Sequence, residues 1–155
     1  MQEVCSLKVT IRKSDYEKML SHARSVWPEE ACGLIAGIDH ISESDPGAKI
    51  TIREIRKVYL LENQDHTNVH FSLDPGEHLK AVVDMRKHHL KPLGNWHSHP
   101  ETPSRSSAED IRLASFDHTA SYLILSLMDN EHPVLHSFHV ENSVSTPEAL
   151  EIIPG

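Results

Sequence analysis

Trp96-His97-Ser98-His99-Pro100-Glu101-Thr102-Pro103-Ser104-Arg105-Ser106-Ser107-Ala108-Glu109-Asp110 is the stretch around which the rest of the chain is organised. Leu93 to His99 reads as a strand whose tip is Pro100. Side chains alternate along a strand, so His97 and His99 share one face while Trp96 and Ser98 point the other way, into packing. Ser107 to Phe116 reads as a short helix with Ser107 as its cap and Asp110 in its first turn. The loop from Pro100 to Ser106 folds that turn back towards the strand tip. Two imidazoles and a carboxylate are then three ligands for one zinc ion, with the fourth position open for water. An open zinc site points to hydrolysis. Plainer readings of the same residues are a surface His-x-His pair and a helix start that uses its acid only at the cap.

Two other zinc chemistries can be set aside. A cytidine-deaminase site needs His-x-Glu followed by Pro-Cys-x-x-Cys, and a zincin needs His-Glu-x-x-His on a helix. This chain has neither. A candidate proton acceptor lies upstream, in Pro28-Glu29-Glu30-Ala31-Cys32-Gly33-Leu34. Ala31 to Ile38 is short and almost wholly apolar, as a buried strand is. A carboxylate at the mouth of that strand could take a proton from water. The alternative is a solvated loop.

Working outward, Leu7, Val9 and Ile11 alternate with polar residues and predict a strand. Ser14-Asp15-Tyr16-Glu17 reads as a capping box opening a helix. Its stripe is Tyr16, Met19, Leu20, Ala23 and Trp27, and Pro28 closes it. Asp39 to Ala48 reads as a loop. Lys49 to Leu61 reads as a strand or strand pair with a register shift near Glu54. Glu62 to Asn68 reads as a loop, and Val69 to Leu73 as a short strand. Asp74-Pro75-Gly76-Glu77 is a helix start, with Asp as cap and Pro at the first position. Tyr122 to Met128 and Val134 to Val140 read as strands around a turn. The tail carries only scattered apolar residues. Strands mixed with helices imply an α/β or α+β sheet covered by helices.

Composition narrows the function. One domain accounts for 155 residues. The net charge of −8, with no Lys/Arg run, argues against nucleic acid. Cys5 and Cys32 form no Cys-x-x-Cys pair, so no structural zinc knuckle is readable. Two thiols and no apolar leader fit the cytoplasm, and no segment has the apolar length to span a membrane.

Glu30-x-Cys32-Gly33-Leu34, Trp96-His97-Ser98-His99-Pro100 and Ser107-x-x-Asp110, in that order, resemble the JAMM (MPN-plus) metalloprotease family from about Leu7 to Val140. The resemblance implies an α/β, JAMM/MPN-like (cytidine deaminase-like) central mixed β-sheet flanked by helices, as a single domain over 1–155. It implies that His97, His99 and Asp110 bind Zn2+, that Glu30 is the general acid/base, and that Ser107 donates a hydrogen bond to the oxyanion. Glu29 has no such role, and Cys32 packs beside the site without acting as a nucleophile. The chain is most similar to the short bacterial form with the pattern WHSHPxxPARPSxxD. That form trims C-terminal residues from small ubiquitin-like sulfur-carrier proteins. The implied activity is zinc-dependent hydrolysis of a peptide or isopeptide bond at a Gly-Gly-type tail. Ser104 and Ser106 depart from the pattern's Ala and Pro, which bears on loop rigidity and substrate fit. The alternatives are a deubiquitinase-like isopeptidase on other substrates, a hydrolase of small amides, and a non-catalytic scaffold of the same fold. The close-set elements leave no long insertion of the kind that grips ubiquitin, and a scaffold would have lost a ligand position.

Overall fold

The computed structural model describes residues 6–42, 49–68 and 71–155. The alternation of Leu7, Val9 and Ile11 forms β1 (Ser6–Arg12), with Val9 and Ile11 fully buried. Helix α1 (Lys13–Val26) follows without a break. The capping box expected at Ser14 is absent. The helix starts two residues earlier, with Arg12 as N-cap and no side-chain cap bond. The Ser14 N–H instead donates to the Gly155 carbonyl at 2.9 Å. An acceptor from the far end of the chain thus satisfies the N–H that the Glu17 carboxylate would have taken in a capping box. Met19 and Ala23 face the core, but Trp27 lies beyond the helix and is 53% exposed.

Strand β2 (Cys32–Ser42) outruns its expected end at Ile38 and pairs antiparallel with β3 (Ile50–Leu61). Of the expected loop, residues 43–48 lie outside the described residues. The register shift expected near Glu54 falls where Ala36 pairs with Lys57 and Gly37 with Ile55, so Arg56 is the extra residue. A Cβ at Gly37 would lie 1.8 Å from the Glu54 carbonyl oxygen, which explains the glycine at the bulge. Of the strand expected at 69–73, residues 71–73 are not in a strand and 69–70 lie outside the described residues. Helix α2 (Pro75–Lys87) begins as the sequence predicts, its Asp74 side chain accepting from the Glu77 N–H at 2.9 Å.

The remaining elements are β4 (Lys91–His99), α3 (Ala108–Ala114), β5 (Ser121–Ser126), β6 (Val134–Glu141) and β7 (Val144–Ile153). The mixed sheet expected from the sequence is present, but it is not simply a layer flanked by helices. Its order, β1-β3-β2-β4-β5-β6-β7, closes on itself. The tail is the cause: β7 runs antiparallel to β6 and then parallel to β1, so the two outer strands share a partner. Its alternation is weak and Pro147 interrupts it, which hides the strand in the sequence.

The main core packs Ile11, Met19, Ile35, Ile55, Leu93, Trp96 and Leu123 together. Full burial of each such side chain contributes about 1.5–3 kcal/mol. A second cluster sets Ala81 and Met85 of α2 against Leu34 and Ala36. The central pair β2–β4 is therefore packed by different helices on different faces. This fixes the end of β4 that carries His97 and His99.

Candidate metal centre

Strand β4 delivers the two imidazoles. His97 and His99 are 3% and 6% exposed, and their Nε2 atoms lie 3.1 Å apart. Trp96 and Ser98 point the other way and are fully buried. The Trp96 indole N–H crosses β2 above Gly33 and donates to the Tyr59 carbonyl at 3.0 Å. A Cβ at Gly33 would lie 1.7 Å from that oxygen and 2.4 Å from the indole nitrogen, so only glycine leaves room.

Helix α3 delivers the carboxylate. Ser107 caps the helix and forms a reciprocal box with Asp110: the Asp110 N–H donates to Ser107 Oγ at 3.0 Å, and the Ser107 N–H donates to Asp110 Oδ2 at 2.9 Å. The same carboxylate lies 3.2 Å from His97 Nε2 through Oδ1 and 3.1 Å from His99 Nε2 through Oδ2. The cap and the cluster therefore coexist in one residue. The loop between them is tied down. His99 Nδ1 donates to the Pro103 carbonyl at 2.9 Å, Ser104 Oγ donates to the Ile124 carbonyl at 2.7 Å, and the Ser106 and Ser145 hydroxyls meet at 2.7 Å. The two serines that depart from the short bacterial pattern are hydrogen-bonded anchors of this loop.

Glu30 stands just before β2 and is 3% exposed. It is brought to the cluster by a clasp between strands. The Ala31 N–H donates to Ser98 Oγ at 2.8 Å, and the Ser98 N–H donates to the Ala31 carbonyl at 2.9 Å. Glu30 Oε1 is buried and has no hydrogen-bond partner. Glu29 is different: it is part exposed and pairs with His66 at 3.1 Å.

Burial pushes the Glu30 carboxyl up to about 8, against its usual 4.5; His99 offsets part of this and Asp110 adds to it. Burial lowers the His97 imidazole despite the nearby Asp110. For His99, burial also acts downward, but the Asp110 carboxylate, the Pro103 carbonyl and Glu30 outweigh it and the net shift is up. Burial works against the Asp110 carboxylate as well, yet His97, His99 and the Ser107 N–H hold it well below its usual range. Cys32 pairs with His97 across the β2–β4 ladder, and burial with nearby acids pushes its thiol up to about 12. A thiol so resistant to ionisation is a poor nucleophile.

The donor set suits a zinc ion. Two imidazole nitrogens and one carboxylate are all within 4.8 Å of one another. The Pro103 carbonyl accepts a hydrogen bond from His99 Nδ1–H, which leaves the Nε2 lone pair for a metal. His97 Nδ1 is buried without a partner, and Phe71 stacks on this ring at 4.9 Å. A cavity of about 40 Å³ adjoins His97 and Asp110, walled mainly by Phe71, Leu113, Tyr122, Ile124 and Val140. Sequence reasoning missed Asn63, Thr67 and Phe71, which lie in or beside a polar loop with no distinguishing spacing.

Residues 12–140 match the protein family described as prokaryotic homologs of the JAB domain. The chain is 27% identical over 145 residues to a Mycobacterium tuberculosis protein named CysO-cysteine peptidase, covering 94% of this chain and 91% of that one. A Pyrococcus furiosus protein named desampylase is 28% identical over 82 residues, 53% of this chain and 49% of the other. Among solved structures, one of a Desulfitobacterium hafniense protein has a TM-score of 0.80 at 44% identity, covering 95% and 94% of the two chains. One from Salinibacter ruber, with a TM-score of 0.61 at 20% identity over 94% and 91%, shares the fold.

Proposed function

Because the chain belongs to the prokaryotic homologs of the JAB domain, we propose that it is a zinc-dependent metallopeptidase acting on a protein tail. The substrate is the C-terminal tail of a small ubiquitin-like sulfur carrier, of Gly-Gly type, cleaved at a peptide or isopeptide bond. The two relatives bear the names CysO-cysteine peptidase and desampylase, which supports that substrate class. The whole chain, 1–155, acts as one metallopeptidase domain in the cytoplasm.

His97, His99 and Asp110 would hold the ion. When bound, zinc polarises the scissile carbonyl and acidifies a water molecule. Glu30 would take a water proton at its unpartnered Oε1 and return it to the leaving amine. Its burial matches this task, because a carboxyl raised towards neutrality both accepts and returns a proton near pH 7. Ser107 Oγ accepts from the Asp110 N–H, and its own proton would donate to the developing oxyanion. One such donor is worth on the order of 3 kcal/mol. Asp110 keeps its charge through the same cap that starts α3. The ordered loop from Pro100 to Ser107 fixes the angle between the two ligand-bearing elements.

The observation that carries this reading is the convergence of three ligand atoms beside a buried carboxyl oxygen with no partner. The test uses a ubiquitin-like carrier protein ending in Gly-Gly-Cys. Mass spectrometry before and after incubation with zinc-loaded protein should show loss of the terminal cysteine, and a chelator should prevent it. An unchanged carrier mass would reject the peptidase reading for that substrate.

A further inference from the structure

The buried side chain of Asn63 joins Glu30 to Ser72, the neighbour of the Phe71 that stacks on His97. Asn63 is 6% exposed. Its Nδ2 donates to the Glu30 carbonyl at 3.1 Å. Its Oδ1 accepts from the Asp65 N–H at 3.0 Å and from the Ser72 N–H at 3.1 Å. Its own carbonyl accepts from the His66 N–H at 3.2 Å, and the Gln64 N–H reaches the Ser72 carbonyl at 2.9 Å. The loop returns to Glu30 a second time, because the Glu30 N–H donates to the Thr67 carbonyl at 2.7 Å. Ser72 is followed backwards by Phe71, whose ring stacks on His97.

One amide therefore ties the backbone of the buried carboxyl residue to the segment that stacks on the His97 imidazole. A buried carbonyl or N–H left without its partner is costly, so Asn63, Ser72 and the Glu30 backbone are held together. Asn63 does not touch His97, His99 or Asp110 through any of these bonds. We propose that Asn63 is a positioning residue, which aims the Glu30 carboxyl by clamping the Glu30 backbone to Asp65 and Ser72.

The proposal rests on the reading of Glu30 as the proton carrier, and its test separates the two. Asn63→Ala removes both halves of the clamp. Asn63→Asp keeps the acceptor for Asp65 and Ser72 and removes the donor to Glu30. In zinc-loaded enzyme on the Gly-Gly-Cys carrier, both variants should lose kcat by on the order of 10–100-fold, with KM and zinc affinity within about 2-fold. In a Glu30→Gln background the Asn63 substitutions should add little to the loss, because both act on one group. Amide hydrogen exchange gives a readout that needs no turnover: the Glu30 N–H should exchange faster in both variants, with the amides of β4 unchanged. Wild-type kcat in both variants, or a full multiplicative loss in the Glu30→Gln background, would overturn the proposal. Unchanged exchange at Glu30 would overturn it even if the wild type cleaved no carrier at all; that last result would by itself reject only the substrate reading.

Discussion

Glu30 is the residue whose chemistry is most exposed to test. Its carboxyl is raised to about 8 in the folded, metal-free chain by burial first, and is ordinary in the unfolded chain. Between about pH 4.5 and 8 the folded state therefore retains a proton that the unfolded state has released, and stability falls as pH rises through that window. Glu30→Gln removes the titrating group. The metal-free variant should melt above wild type at about pH 8, and the two melting temperatures should converge towards about pH 5. Parallel curves would show that burial does not raise Glu30. In zinc-loaded protein the same variant should keep its metal and lose hydrolysis. Near-wild-type turnover would make Glu30 the wrong base. His99 and Asp110 set a second pH dependence. The net upward shift of His99 means its imidazole takes a proton early as pH falls, and a protonated imidazole cannot bind zinc. Zinc affinity, measured against a competing chelator, should drop as the solution is acidified through the imidazole range.

At the scale of elements, the end of β4 and the start of α3 were legible because each carries a local signal. Alternation puts His97 and His99 on one face, and the Ser107 cap fixes where Asp110 falls in its helix. What could not be read depends on partners distant in sequence. Ser14 looks like a cap, but its N–H is satisfied by Gly155. Asn63 looks like any polar loop residue until Glu30, 33 positions away, is placed beside it. The cap makes a prediction of its own: Ser107→Ala should destabilise the fold by about 1 kcal/mol and weaken zinc binding through Asp110, by thermal melting and metal titration. Equal zinc affinity would mean that the cap does not orient the carboxylate. The β2–β4 pairing makes another. Gly33→Ala places a Cβ where the Trp96–Tyr59 hydrogen bond runs, so the loss of packing and of that bond should cost roughly 3 kcal/mol. A shift below about 0.5 kcal/mol in denaturant unfolding would contradict so tight a fit.

For the whole molecule, closure of the sheet is the feature that the sequence concealed. The α/β class followed from the mixture of strand and helix patterns, but β7 has weak alternation and an internal proline. It matters because it completes the pairing of β6 and β1 and because Ser145 anchors Ser106 in the ligand loop. Among the described residues no helix is long and apolar enough to cross a membrane. The fold thus places two imidazoles at a strand end, a carboxylate at a helix start and a buried carboxyl beside them. Whether that arrangement is a zinc site is decided most directly by elemental analysis of zinc-loaded, desalted protein. The expected result is about one zinc per chain for wild type, with His97→Ala and Asp110→Asn nearly metal-free and still folded. Full zinc occupancy in both folded variants would contradict the assignment of His97, His99 and Asp110 as the ligands.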